Sequence, residues 1–209
     1  MTPPITNPVY RVQTARMVLR CYQPEDAPLL NASAAESKEH LLTFMPWAND
    51  YPQDVDKTLA LVRSFRSRFD SGEDYIYGVF TPDERHLLGG SGLHTRLGKD
   101  ALEIGYWIHK DFINQGLATE LSAALTKVAF EVYQVQRMEI HCAADNLASA
   151  AVPRKLGYTL DGTLRRRIWL VDGKYHDAMV FSLFSDEYPS SPAAKAEVQA
   201  YDGLGRKLL

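Results

Sequence analysis

Residues 102–119 read LEIGYWIHKDFINQGLAT, and this stretch decides the fold. Its first half is rich in strand formers and predicts a strand over residues 101–109. Further on, apolar side chains recur at helical spacing from Leu117 and predict a long helix over about 116–133. The chain therefore passes from a strand through Asn114 and Gly116 directly into a helix.

Such a helix start collects backbone N–H groups without intrahelical partners at the positive end of the helix dipole, which favours an anion. Gly116 has no Cβ to obstruct a phosphate, Ala118 is small, and the Thr119 hydroxyl can donate a hydrogen bond. The alternative interpretation is that Gly116 and Ala118 only permit a tight entry into the helix. The stretch is not a P-loop, because the Gly-Lys-Ser/Thr ending is missing. It is not a dinucleotide fingerprint either, because the glycine spacing differs.

Outward from this stretch, the hydrophobic periodicity predicts the order β-α-α-β-β-β-α-β-α-β-β. The predicted strands cover residues 16–22, 75–80, 87–95, 101–109, 137–143, 158–170 and 174–184. The first predicted helix follows the turn at 23–26 and ends at about 37, and the others cover 54–69, about 116–133 and 146–156. Residues 1–15 are interpreted as an extended arm, 16–185 as the folded domain and 186–209 as a tail with little apolar pattern. This order predicts an α/β (α+β) domain with a mixed, largely antiparallel sheet.

Composition limits the class of protein. The chain has 209 residues, 45% of them hydrophobic and 23% charged, which is typical of one globular domain. No apolar stretch is long enough to span a membrane, and residues 1–8 do not resemble a signal peptide. The net charge of -3 argues against nucleic acid as a partner. Two cysteines are too few for a disulfide scaffold and the six histidines are scattered, so we expect a cytoplasmic protein with no metal and no membrane partner.

Three segments occur in the order and at the spacing of motifs in a known family. They are the strand at 102–108, the loop and helix start at 114–120, and residues 146–158, which begin Asn146-Leu147-Ala148-Ser149 and end Lys155-Leu156-Gly157-Tyr158. With these segments the chain resembles the GNAT superfamily of N-acetyltransferases, and within it the ribosomal-protein N-acetyltransferase (RimJ/RimL-type) branch. The resemblance extends over about residues 16–184.

The resemblance implies a twisted, mostly antiparallel GNAT sheet of about seven strands with four main helices, whose central strands splay to admit coenzyme A. It implies acetyl-CoA as co-substrate, and transfer of acetyl to a primary amine by direct attack on the thioester. The acceptor would be a protein N-terminus or a small amine, and the protein a monomer or a homodimer. The cofactor-binding residues it implies are Trp107, Ile108 and His109 for the pantetheine, Asn114, Gln115, Gly116, Leu117, Ala118 and Thr119 for the pyrophosphate, and Asn146, which is also suited to cap a helix.

Two catalytic residues are expected, Glu103 from its place on the strand that should carry the cofactor and Ser149 from the resemblance. Glu103 is the first candidate for the base that takes the amine proton, directly or through a water, and its alternative role is a sheet carboxylate paired with an arginine. Many family members carry a Tyr as leaving-group acid seven residues after the motif Asn, where this chain has Pro153, which cannot donate a proton. Ser149 is the family-like substitute. Its alternative role is a helix serine bonded back to a backbone carbonyl.

Further expectations concern aromatic side chains and other functions. Tyr106 and Trp107 must point to opposite faces of their strand, so at most one of them can look into an acceptor channel. Trp47 is interpreted as a core aromatic, with a wall of the acceptor pocket as the alternative. Two other functions stay open. One is a non-catalytic acyl-CoA-binding regulatory module, which Pro153 would permit, and the other is an enzyme that uses another acyl-CoA such as succinyl-CoA.

Overall fold

The computed structural model describes residues 8–209 of the chain, which form nine strands and five α-helices. The strands are β1 Arg11–Gln13, β2 Val18–Cys21, β3 Tyr75–Phe80, β4 Leu87–His94, β5 Ala101–Ile108, β6 Arg137–Ala143, β7 Thr159–Trp169, β8 Tyr175–Phe184 and β9 Gln199–Tyr201. The helices are α1 Ala27–Glu36, α2 Lys38–Leu42, α3 Val55–Ser71, α4 Leu117–Glu131 and α5 Leu147–Leu156.

Within the described part of the chain, the strands form one sheet in the order β7-β8-β6-β5-β4-β3-β2-β1-β9. All neighbouring strands are antiparallel except β5 and β6, which are parallel. A parallel pair needs a crossover connection, and α4 supplies it between β5 and β6. The mixed, mostly antiparallel α/β fold predicted from the sequence is confirmed.

The strand count exceeds the predicted number of about seven because both ends of the chain add a strand. β1 lies in the predicted arm, and it pairs with β2 and with β9, which lies in the predicted tail. Val12 and Ala200, opposite each other in β1 and β9, are fully buried. Strands of three residues carry too little alternation for a sequence pattern to indicate them. Residues 1–7 of the predicted arm lie outside the described residues, and the proposed domain boundaries stay predictions.

Helices cover both faces of the central strands. α4 and α5 pack on one face of β5 and β6, where Leu121 and Leu125 share a core with Leu102 and Ile104. α1 and α3 lie over the other face of β3 and β4, around Leu30. α2, a fifth helix beyond the four main ones expected, is a single turn that follows α1. Among residues 8–209, no helix is long and apolar enough to cross a membrane.

Glycines in β4 allow parts of β5 to come unusually close. A Cβ on Gly89 would collide with the carbonyl oxygen of Trp107, and one on Gly90 would collide with the indole nitrogen of the same residue. A Cβ on Gly92 would lie only 2.8 Å from the ring of His94. The glycine-rich segment therefore leaves room for the rings of Trp107 and His94 on this face of the sheet.

The hydrogen-bonded ladder between β5 and β6 stops early. Its three residue pairs end at Glu103 and Glu139, although β5 continues to Ile108 and β6 to Ala143. Beyond that point, among the described strands, β5 is paired only with β4 and β6 only with β8. The two central strands diverge and leave a wedge-shaped gap, which is the splay that the sequence resemblance implied.

The burial of β9 leads to a stability prediction. Ala200→Arg should lower the free energy of unfolding by about 2–4 kcal/mol, because it forces a large charged side chain into a fully buried position. Gln199→Arg places the same side chain on the adjacent exposed position and should change the free energy by less than about 0.5 kcal/mol. Urea unfolding followed by tryptophan fluorescence measures both. Equal stabilities of the two variants would contradict the packing of the C-terminal strand into the core.

Candidate active site

The gap between β5 and β6 has free backbone groups on its β5 side. The N–H of His109 donates to the carbonyl oxygen of Leu88, just before the glycines of β4, at 2.8 Å. Successive residues of a strand direct their backbone polar groups to opposite neighbours, so those of Trp107 also point to β4. Those of Tyr106 and Ile108 point into the gap. Of the three residues expected to pair with a pantetheine, Ile108 therefore offers its backbone to the gap, whereas Trp107 and His109 direct theirs to β4.

The start of α4 is the second part of the site. Asn114 and Gly116 have left-handed φ values of 60° and 77°, which fold the loop into a tight turn before the helix. Within residues 8–209, the N–H groups of residues 116–119 have no acceptor in the protein, and no side chain caps the helix. The first engaged N–H belongs to Glu120 and bonds to the carbonyl oxygen of Gly116 at 3.1 Å. Four free N–H groups and the helix dipole therefore favour an anion here.

Arg16 holds this turn in place, a role that the sequence pattern did not reveal. Its Nη1 donates to the carbonyl oxygen of Gln115 at 2.9 Å, and its Nε donates to Glu120 of α4 at 2.6 Å. The Thr14 hydroxyl donates to the other carboxylate oxygen of Glu120 at 2.5 Å. A Cβ on Gly116 would lie 3.7 Å from Arg16 Nη2, so a guanidinium stands beside the free N–H groups. Because these partners of Arg16 lie 99 and 104 residues away, local sequence could not indicate them.

Ser149 at the start of α5 faces Tyr106 of β5. Their hydroxyl oxygens lie 2.9 Å apart, and the Tyr106 hydroxyl also donates to the Ser149 carbonyl oxygen at 3.3 Å. The Asn146 side chain accepts a hydrogen bond from the Ser149 N–H at 3.0 Å and so caps α5. The Ser149 hydroxyl thus contacts β5, so the serine of the 146–158 segment lies beside the strand of the 102–108 segment.

Burial keeps the hydroxyl and thiol groups around Ser149 protonated. It raises the pKa of Tyr106 to about 12, although the hydrogen bond to Ser149 acts in the opposite direction. It also raises the pKa of the Cys142 thiol on β6, again against the effect of a bond to Ser149. Tyr106, Ser149 and Cys142 therefore form a group of neutral proton donors on the α5 side of the gap. The sequence singled out only Ser149 for this chemistry.

A charged cluster lies at the narrow end of the gap, on the opposite face of the sheet. Glu103, only 5% exposed, accepts hydrogen bonds from Arg96 on both carboxylate oxygens, one of them at 2.7 Å. Across the ladder, His141 Nε2 lies 2.6 Å from Glu139, whose other oxygen lies 2.7 Å from Arg137 Nε. His141 Nδ1 lies 3.8 Å from Glu103. We call these five residues the Glu103–His141 cluster. Pairing with an arginine, the alternative role considered for Glu103, is what the geometry shows.

A cavity of about 670 Å³ lies on the same face of the sheet as the cluster. Arg96 belongs to the cluster and also lines the cavity. The ring centroid of Trp47 lies 5.8 Å from that of Trp107 and 5.9 Å from that of Tyr51. Trp47 is 39% exposed and forms a wall of this cavity, so its interpretation as a core aromatic is wrong. Trp107 lines the cavity while the Tyr106 hydroxyl faces Ser149, which confirms that the two side chains point to opposite faces. Further walls come from Leu30, Met45, Asp50, Lys57, Leu61 and Phe65.

His109 belongs to a local contact network rather than to the gap. Its ring is buried, its Nε2 lies 3.2 Å from Glu36, and its Nδ1 accepts a hydrogen bond from the Asp111 N–H at 3.3 Å. Possible metal-ligand atoms of these three residues lie within 4.8 Å of one another. Lys110 already pairs with Asp111 at 2.7 Å, and both carboxylates are exposed. The contacts of the His109 ring therefore join α1 to the end of β5.

Known proteins are similar to this chain in sequence. The family model described as the acetyltransferase (GNAT) domain matches residues 16–159. A putative ribosomal N-acetyltransferase of Bacillus subtilis, YdaF, is 27% identical over 175 residues, which cover 82% of this chain and 93% of the relative. The ribosomal-protein-serine acetyltransferase of Escherichia coli is 30% identical over 149 residues, which cover 69% of this chain and 81% of the relative.

Solved structures share the fold. RimJ of Mycobacterium smegmatis, in complex with CoA-disulfide, superposes with a TM-score of 0.77 at 22% identity and covers 92% of this chain and 94% of its own. RimL, a ribosomal L7/L12 alpha-N-protein acetyltransferase in complex with coenzyme A, has a TM-score of 0.75 at 24% identity. That match covers 83% of this chain and 97% of RimL. At these identities the likeness establishes the architecture.

Proposed function

The chain belongs to the GNAT family of acetyltransferases, and we propose that it transfers the acetyl group of acetyl-CoA to a primary amine by direct attack of the amine on the thioester. The observation that carries this proposal is the interrupted β5–β6 ladder beside four free N–H groups at the start of α4. A molecule with an extended amide-containing arm and a pyrophosphate suits both parts of this arrangement.

A pantetheine N–H is proposed to donate to the backbone carbonyl oxygen of Ile108, in the way that an added strand pairs with a sheet edge. The pyrophosphate would accept hydrogen bonds from the N–H groups of residues 116–119. Arg16 adds positive charge there, held in place by its bonds to Gln115 and Glu120. Part of the Asn146 side chain caps α5, so only its remaining atoms can contact the pantetheine. Its main contribution is to hold Ser149 in position.

The chemistry needs a neutral amine, a donor for the oxyanion and a proton for the departing thiolate. The Ile108 N–H, directed into the gap, is the proposed oxyanion donor. Ser149 is the proposed acid, and Tyr106 can return a proton to it across their 2.9 Å contact. This pair would replace the tyrosine whose position is occupied by Pro153.

Glu103 is the proposed source of negative charge for deprotonation of the amine. Both of its oxygens already accept hydrogen bonds from Arg96, so direct contact with an amine would displace one of these bonds. Proton transfer through an intermediary therefore suits the geometry better than direct transfer.

The aromatic cavity is the proposed acceptor pocket. The name of the Escherichia coli relative gives a ribosomal-protein serine as its acceptor, which favours a polypeptide N-terminus over a small amine for this chain. In the described part of the chain, the cavity walls carry Lys57 and one carboxylate, Asp50, and the charge of Arg96 is paired with Glu103. The walls therefore offer little unpaired negative charge to a polycation such as a polyamine. The cytoplasmic location and the monomeric or homodimeric state stay predictions.

An acceptor screen tests the proposal. Thiol release from acetyl-CoA is followed with seryl and alanyl tripeptide amides, spermidine and glucosamine, and succinyl-CoA replaces acetyl-CoA in a parallel series. Peptide-dependent release should exceed release with spermidine, because the cavity presents aromatic walls and little unpaired negative charge. Tight acetyl-CoA binding without acceptor-dependent release from any amine would contradict transfer and favour the binding-module interpretation.

Gly116→Glu tests the pyrophosphate site. It should weaken acetyl-CoA binding by about 100-fold or more, because it adds a negative charge beside the free N–H groups at a left-handed residue. Isothermal titration calorimetry measures the affinity. Gly205→Glu is the matched control, since Gly205 has a φ of 75° and open space where a Cβ would lie. Its affinity should equal that of the wild type, and a wild-type affinity of Gly116→Glu would remove the proposed site.

Ser149→Ala tests the leaving-group acid. It should lower kcat by about 100-fold with little change in acetyl-CoA affinity, because the thiolate would depart without a positioned proton donor. Tyr106→Phe should have a smaller effect, about tenfold, since Ser149 keeps its own proton. Ser122→Ala is the control and should retain the wild-type kcat, because it removes a buried hydroxyl on α4 that has no hydrogen-bond partner among the residues the structure describes. Full activity of Ser149→Ala would exclude Ser149 as the acid.

A further inference from the structure

We propose that His141 is the catalytic group that takes the proton from the attacking amine, with Glu139 and Glu103 as its positioning residues. This inference rests on the proposed acetyl transfer and assigns a residue to its deprotonation step. It is supported by the position of His141 in the gap, by the orientation of its ring and by the hydrogen bonds from Arg96 that already occupy Glu103.

The position of His141 follows from the register of β5 and β6. The last pair of the parallel ladder is Glu103 with Glu139, and side chains of paired residues share a face of the sheet. His141 lies two residues further along β6, on the same face and inside the diverging part of the gap. That step is about 6.6 Å along the strand, toward the Ile108 N–H proposed as the oxyanion donor. Glu103 lies level with the end of the ladder and therefore outside the gap.

Access also distinguishes the two candidates. The His141 side chain is 30% exposed, whereas that of Glu103 is 7% exposed. Both oxygens of Glu103 are occupied by Arg96. Proton transfer to the imidazole therefore leaves the Arg96–Glu103 ion pair intact.

The ring of His141 is oriented by Glu139. Nε2 lies 2.6 Å from Glu139, a distance at which a neutral imidazole donates its proton to the carboxylate. This fixes the tautomer whose Nδ1 carries a free lone pair. Among residues 8–209, the ion-pair partner of Nδ1 is the Glu103 carboxylate. It lies 3.8 Å away, which is too far for a hydrogen bond. Nδ1 is thus free to accept a proton.

The charged groups around the ring suit a proton acceptor. Glu103 faces it from β5 and Glu139 from its own strand, while Arg96 and Arg137 lie behind these carboxylates. On β8, the residue opposite His141 is the uncharged Val180. Two carboxylates next to the ring stabilise the imidazolium that would form, and the arginines balance the charge of the cluster.

Acetyl transfer moves one proton to His141 and takes one from Ser149. The lone pair of the neutral amine forms the C–N bond at the thioester carbonyl, and the carbonyl electron pair moves to the oxygen facing the Ile108 N–H. The extra proton on the amine nitrogen passes to Nδ1 of His141 and from there to solvent. Collapse of the tetrahedral intermediate breaks the C–S bond, and the thiolate takes a proton from Ser149, which is restored through Tyr106 and solvent.

His141→Gln tests the proposal in the full-length enzyme, with the amine that the wild type acetylates fastest in the tripeptide, spermidine and glucosamine screen. We expect kcat/KM for that amine to fall about 100-fold, with acetyl-CoA affinity within about twofold of the wild type. Glu139→Gln should lower kcat/KM less, by about tenfold, because an amide can still contact the ring but does not stabilise the imidazolium that forms.

His86→Gln is the matched control, since it makes the same change on the exposed turn between β3 and β4 and should leave kcat/KM unchanged. Imidazole added to His141→Ala should restore part of the lost activity, a response that a merely structural role would not give. A His141→Gln enzyme with wild-type kcat/KM overturns the proposal, and so does the absence of imidazole rescue. Failure of the wild type to acetylate any amine would instead count against the proposed function.

Discussion

The parallel pairing of β5 and β6 ends at Glu103 and Glu139, and the rest of the site depends on that interruption. Backbone N–H and C=O groups that face a gap need partners, and a bound molecule that carries amides can supply them. Each strand is held rigidly on its other side, β5 by β4 and β6 by β8, so the gap is maintained without a ligand. The glycines of β4 contribute to this rigidity, because they let the Trp107 region of β5 approach more closely than a side chain would permit.

The alternation of side chains along the diverging strands separates two kinds of chemistry. On the α5 face, Tyr106 and Ser149 are in contact and are suited to give a proton, since burial keeps the tyrosine neutral. On the other face, Glu103 and His141 belong to a cluster that is suited to receive one. A thioester lying in the gap would therefore have its leaving group near the donors and its attacking amine near the acceptor. The proton donors and the proton acceptors lie on opposite faces of the sheet, so they do not neutralise each other.

The sequence predicted the parts of the site whose information is local. The turn and free N–H groups at 114–119 follow from a glycine before an amphipathic helix, and the opposite directions of Tyr106 and Trp107 follow from the period of a strand. The partner of Glu103 could not be identified in this way, because Arg96 reaches it from a loop and no pattern marks the pair. His141 likewise carries no local signal in the sequence. Its significance depends on the register between two strands that only the folded chain brings together.

The N-terminal segment shows how a distant part of the chain can shape a motif that looks self-contained. Asn114 and Gly116 both adopt the left-handed conformation, which asparagine and glycine tolerate better than other residues. Arg16, two residues before β2, holds this turn by bonding to the carbonyl oxygen of Gln115 and to Glu120 in the first turn of α4. Because β2 pairs with β1 and β1 with β9, the turn before α4 is connected through paired strands to the far edge of the sheet. The short terminal strands therefore belong to the physical basis of the site, although they lie far from it in the sequence.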